Sequence, residues 1–237
     1  MIRPLWSRPL ATAYRASCNQ STRWFCVARP RLSEKLLYPE NRTASQHRDL
    51  PTFLAYAKRT GLDEKSTVFV GTHYEYTIAG TLSRYGFSLQ RVGGASDCGV
   101  DLLGTWTPPK TRRVMKTLVQ CKAGAQRAGP NLMRELEGAF VGAPVGWRDP
   151  GVLGLLVSER PATKGVRESM GRSRWPMGYL CCSREGVLKQ MIWNHRAEEE
   201  GLEGFGVATR HVDGQEGEEE LVLLRNGVVL PLLDRTG

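Results

Sequence analysis

The chain has 237 residues, 41% of them apolar, enough for one sizeable core with at most a small appendage. A charged fraction of 24%, with no apolar run near the ~20 residues a membrane span needs, excludes both a bilayer-spanning helix and a typical disordered chain. The net charge of +9 is uneven: +6 over residues 1–33, +10 over 34–197 and −7 over 198–237. A basic body followed by an acidic tail points to a polyanionic partner for the body.

Residues 1–33 hold six arginines (Arg3, Arg8, Arg15, Arg23, Arg29, Arg31) among Ser, Thr and Ala, and no acid. Arg or Pro interrupts every apolar run, so a secretory signal is excluded and a mitochondrial transit peptide is expected, with the matrix as destination. A basic arm that itself touches nucleic acid is the alternative. Removal of the segment would leave a net charge of +3. In a reducing matrix the six cysteines need not pair, and Cys98, Cys121, Cys181 and Cys182 have no zinc-site spacing. The four histidines, His47, His73, His195 and His211, are scattered without an H-E-x-x-H pattern.

Residues 34–67 read as a linker with one short helix, Pro51 to Arg59, opened by proline and stopped by Gly61. From Thr72 to Tyr85, Tyr74, Ile78, Leu82 and Tyr85 recur at three- and four-residue steps and predict an amphipathic helix ended by Gly86. Three short Val-, Leu- and aromatic-rich stretches follow, Phe87 to Val92, Val100 to Trp106 and Val114 to Cys121, and predict strands joined by hairpin-like turns. Asn131 to Val141 predicts a second helix, and the continuous apolar run Val152 to Val157 a strand buried on both faces. Thr163 to Ser173 reads as a further helix and Met177 to Cys182 as a further strand. The expected architecture is α/β: helix, three strands, helix, strand, around a mixed central sheet with a helix on each side. The domain would span 68–182, with an acidic C-terminal extension, 183–237, packing on the core as strand or helix additions. The Glu-rich stretch between 198 and 220 reads as solvated loops.

Asp101 opens the second predicted strand, and Gln120-Cys121-Lys122 ends the third. Alternate strand residues share a face, so Gln120 and Lys122 project together while Cys121 points the other way. If the two strands pair, a carboxylate, an amide oxygen, an ammonium and the Cys121 backbone carbonyl meet at one sheet edge. A hard divalent cation, Mg²⁺ or Mn²⁺, takes one or two carboxylates and neutral oxygens and keeps several waters. Such an ion activates water beside a phosphate, and Lys122 could orient that water or neutralise developing charge. The set suits phosphodiester hydrolysis. Between the second and third strands, Lys110, Arg112, Arg113 and Lys116 would hold phosphates beside the metal centre. Trp147 and Trp175 lie near arginines, and read as core or loop anchors ahead of base-stacking residues.

The stretch Gly93-Gly94-Ala95-Ser96-Asp97-Cys98-Gly99-Val100-Asp101, the later Gln120-Cys121-Lys122 and the helical Tyr74-Glu75 together resemble the PD-(D/E)xK nuclease superfamily. The likeness is to its Mrr-type restriction-endonuclease branch, in which Q-x-K replaces D/E-x-K, and covers about residues 68–160. With its transit-like leader, the chain is also similar to a fungal mitochondrial family described as required for respiratory growth. The resemblance implies a restriction-endonuclease-like core with Asp101 as main metal ligand, Gln120 as second ligand and Lys122 as catalytic lysine. It implies Glu75 as an accessory acid; Asp97, in the glycine loop four residues before Asp101, reads by its position as loop structure with a water-mediated metal contact as the option. A neutral amide binds a divalent ion more weakly than a carboxylate, so affinity should rest on Glu75 and Asp101. The expected activity is Mg²⁺-dependent DNA hydrolysis, DNA ahead of RNA, with a second copy of the chain as a candidate partner for cutting both strands. The alternative is a non-catalytic nucleic-acid-binding or assembly factor for mitochondrial gene maintenance.

Overall fold

A computed structural model describes residues 36, 38, 46–93, 99–211 and 219–234, so the expected transit peptide, with Cys18 and Cys26, lies outside the described residues. The described residues belong to one compact unit within 36–237.

Helix α1, Leu50–Thr60, starts at a capping box: the Asp49 carboxylate accepts from Thr52 N at 2.9 Å, and Thr52 Oγ1 accepts from Asp49 N at 3.1 Å. Helix α2, Thr67–Ser83, starts five residues before the apolar period does, because Ser66 caps it and its first turn is largely solvated. Its buried face carries Tyr74, Glu75, Tyr76, Ile78 and Leu82.

The strands β1 (Phe87–Arg91), β2 (Leu102–Trp106), β3 (Met115–Lys122), β4 (Leu153–Ser158), β5 (Met177–Cys182) and β6 (Leu188–Trp193) form one sheet in sequence order. Neighbours are antiparallel except β3–β4 and β4–β5, which are parallel. The parallel steps require crossovers, supplied by α3 (Pro130–Gly142) and α4 (Lys164–Arg172). Two right-handed crossovers stepping in one direction put both helices on one face. Met133, Leu136 and Phe140 of α3 thus share a cluster with Val166 and Met170 of α4, while α2 covers the opposite face. The expected single helix on each side is corrected to one against two. Strand β4 is buried along its whole length, as its unbroken apolar run requires.

Beyond β6, a short helix α5 (His195–Ala197) runs into a π-helical turn (Glu198–Leu202), and β7 (Phe205–His211), β8 (Glu219–Arg225) and β9 (Val228–Val229) form a second, antiparallel sheet. This corrects the reading of 198–220 as solvated loops: Leu202 is buried and Phe205 and Val207 pack on the core. The small sheet sits on the α2 face, where Leu221, Leu223 and Leu230 join Tyr74, Ile78 and Trp106. Tyr85 Oη donates to the Leu221 carbonyl at 2.9 Å, and Glu220 pairs with Arg84 at 2.8 Å. Trp147 is buried against Tyr38 and Trp175 stacks on Phe140, so both serve as packing residues. Among the described residues no helix is long and apolar enough to cross a membrane.

Candidate active site

Strand β3 positions most of the site. Met115, Val119 and Cys121 face the α2 side, whereas Leu118 packs on the α3–α4 side and Lys122 reaches Glu135 of α3 at 3.7 Å. Gln120 and Lys122 therefore share a face, and Cys121 takes the opposite one, as strand alternation demands. Register then brings in Asp101: Leu102 pairs with Val119, and Asp101 N donates to the Val119 carbonyl at 2.9 Å. The Asp101 Oδ2 atom accepts from Cys121 N at 2.6 Å, which holds the carboxylate at the C-terminal end of β3. Asp101, Gln120, Cys121 and Lys122 thus occupy one corner of the sheet.

Glu75 reaches the same corner from the α2 side. It is 9% exposed and forms an ion pair with Arg91 at the end of β1. Arg91 lies opposite Leu102 in the β1–β2 register, next to Asp101 in the chain. Burial, followed by the carboxylates of Asp101 and Glu75, pushes the Cys121 thiol well above its ordinary value and keeps it protonated. Sequence reasoning missed Arg91. A signal was available, since Arg91 continues the inward alternation of Phe87 and Leu89, where a cation requires a buried partner.

The glycines that flank the loop have close-approach roles. A Cβ on Gly93 would lie 3.2 Å from Asp101 Oδ1, and one on Gly99 would lie 3.1 Å from Gln120 Nε2. Gly99 also has φ of +78°, which glycine adopts without strain. The middle of this loop, with Asp97 and Cys98, lies outside the described residues.

Gln120 is 3% exposed, and its Oε1 atom is a buried acceptor with no hydrogen-bond partner. Such an orphan costs about 1–3 kcal/mol and calls for an explanation. A bound cation would supply one. Asp101, the Gln120 amide oxygen and the Cys121 carbonyl form an oxygen set that fits a hard ion keeping most of its waters. Among the described residues no group of three or more His, Cys, Asp or Glu side chains could hold a metal, so an all-carboxylate or thiolate cage does not fit.

The basic hairpin does not sit where it was expected. Trp106 pairs with Met115 at the hairpin end of β2–β3 and Leu102 with Val119 at the site end, roughly 14 Å away along the strands. Lys110, Arg112, Arg113 and Lys116 are therefore at the far end of the strands from Asp101, which corrects the expectation that they flank the metal centre. Two of them are engaged locally. Lys116 Nζ donates to the Gly146 carbonyl at 2.8 Å and lies 3.4 Å from Asp149, and Arg113 donates to the Glu200 carbonyl.

A family model described as Required for respiratory growth protein 7 matches residues 66–116 and 108–210, more than half of the chain. The chain is 29% identical over 155 residues to an uncharacterized mitochondrial protein of Schizosaccharomyces pombe, covering 64% of this chain and 61% of that one. It is 27% identical over 187 residues to the Saccharomyces cerevisiae protein named "Required for respiratory growth protein 7, mitochondrial", covering 61% of this chain and 76% of that one. The protein of that name in Zygosaccharomyces rouxii is 29% identical over 180 residues, covering 58% and 72%. No solved structure matches.

Proposed function

Because the chain belongs to the Required for respiratory growth protein 7 family, we propose that it supports respiratory growth through hydrolysis of nucleic-acid phosphodiesters in the mitochondrion. It is a mitochondrial protein, as its relatives are named. The observation that carries the hydrolytic reading is the orphaned Gln120 Oε1 at the corner that also holds the Asp101 carboxylate and Lys122.

In this reading Asp101, Gln120 and the Cys121 carbonyl hold Mg²⁺ or Mn²⁺, with Glu75 as an accessory acid if Arg91 releases it. The ion, when bound, polarises a phosphate oxygen and acidifies a coordinated water. The Cys121 amide holds one Asp101 oxygen in place at the end of β3. Lys122 is half-exposed and carries a positive charge to the attacking water or the developing phosphorane, with Glu135 restraining its reach. Arg91 neutralises Glu75 within the apolar α2 interface, which makes its burial tolerable.

The test is cleavage of supercoiled and linear DNA, and of single-stranded RNA, with Mg²⁺ or Mn²⁺. Wild type should cut at least one of these. Lys122→Ala should lose about 10²–10⁴-fold and Asp101→Ala at least as much. Equal cleavage by all three proteins, or none by the wild type with either ion, overturns the hydrolytic reading. Rescue of respiratory growth by Asp101→Ala would instead identify a binding or assembly factor that uses the fold without chemistry.

A further inference from the structure

The hairpin's displacement leaves open which surface would hold a polyanion at the Asp101 corner. Two segments there are basic and free of acids. Residues 122–134 contain Lys122, Arg127 and Arg134, and residues 160–167 contain Arg160, Lys164 and Arg167, with no Asp or Glu in either. The fold brings them together, because β3 and β4 are parallel neighbours and both chains leave the sheet at the same end, with Lys122 opposite Ser158.

Contacts lock the two segments to each other. Glu159 Oε1 accepts from Gly124 N at 2.6 Å, Arg160 Nε donates to the Ala125 carbonyl at 3.2 Å, and Thr163 Oγ1 donates to the Ala128 carbonyl at 3.2 Å. The start of α4 abuts the start of α3, where a Cβ on Gly165 would lie 3.4 Å from Pro130 Cδ. Arg127, Arg134, Arg160 and Lys164 are all exposed. The acids at the rim are already paired: Glu135 faces Lys122, Glu159 pairs with Arg184, and Glu168 lies between Lys164 and Arg172. The hairpin, by contrast, faces Asp149 and the acidic turn at Glu198–Leu202.

We propose that this pinned basic ledge, built by the loop after β3 and the β4–α4 connection, is the nucleic-acid-binding surface, with Arg127, Arg160 and Lys164 contacting backbone phosphates. A ledge fixed by three cross-contacts presents its cations without a large ordering cost, and it borders the corner that holds Gln120 and Lys122. It rests on the reading of that corner as a phosphodiester site. Binding can nonetheless be measured where chemistry is silent.

The experiment uses the full chain carrying Asp101→Ala, in chelator, titrated into labelled duplex DNA and single-stranded RNA across a salt series. The double variant Arg127→Glu/Lys164→Glu should weaken binding at least tenfold, and its neutral counterpart Arg127→Gln/Lys164→Gln should lower the salt slope by about two. Lys110→Glu/Arg112→Glu on the hairpin should stay within twofold. Loss in the hairpin variant with retention in the ledge variants overturns the proposal, as does ledge-dependent binding to anionic phospholipid vesicles in preference to nucleic acid. Ledge-dependent binding with no metal-dependent cleavage by the wild type would sink hydrolysis and keep the ledge. Unimpaired cleavage by the ledge variants would do the reverse.

Discussion

Gln120 concentrates the tension at the site. A buried amide oxygen without a partner is unfavourable for stability, yet an apolar residue of similar length at the same position would leave no neutral donor for a cation. Gln120→Met is therefore expected to raise folding stability by about 1 kcal/mol while reducing metal-dependent cleavage. Urea unfolding and cleavage rates measured on the same preparation check both halves, and a less stable variant would show that the oxygen has a partner in solution. At this scale the sequence was informative. The spacing of Gln120, Cys121 and Lys122 places two side chains on one face and one on the other, because strand alternation is a local property. Arg91 was legible only as a charge in an inward position, since its partner Glu75 comes from another element, 16 positions earlier in the chain.

Helices and strands mostly follow local signals. The capping box at Asp49, the apolar run of β4 and the glycines after α1 and α2 mark elements that the structure contains. Strand β7 was hidden because its residues are only half-buried or exposed and follow a run of glutamates, so no clear alternation marks it. Its partner β8 carries the stronger pattern, with Leu221, Val222 and Leu223 all buried. The small sheet is fastened to α2 rather than hung from it. Burial works to raise the Glu220 carboxyl, but hydrogen bonds from Arg210 and Arg84 hold it below its ordinary value. Leu223→Ala should thus cost about 2–5 kcal/mol within a single unfolding transition shared with the main sheet. A separate, earlier transition confined to the small sheet, followed by hydrogen exchange, would contradict that coupling.

Across the whole molecule, two histidines act in opposite senses as pH changes. His47 is enclosed by Phe53, Tyr56 and Tyr76 where α1 meets α2, with Nδ1 2.8 Å from Tyr76 Oη. Burial, then the Arg91 charge, lowers its pKa, so below about pH 6.5 the unfolded chain takes up the proton first and stability falls. His195 donates to the exposed Glu198 carboxylate and faces the Glu199 charge, which raise its pKa, so its smaller contribution is present in acid and lost as pH rises. Urea titrations between pH 5 and 8 should show stability declining toward the acid side, with a shallower decline in His47→Gln; an unchanged profile would place His47 in solvent. The amino-acid sequence by itself determined the element order as far as β5, the α/β class, the sharing of a face by Gln120 and Lys122, and the acid-free basic segments, because each depends on neighbours within a few residues. Only the tertiary structure decided that α3 and α4 share a face, that the basic hairpin stands at the far end of the strands from Asp101, and that two separate basic segments form one ledge. Those outcomes depend on strand register and crossover direction, which are settled by contacts between residues far apart in the chain.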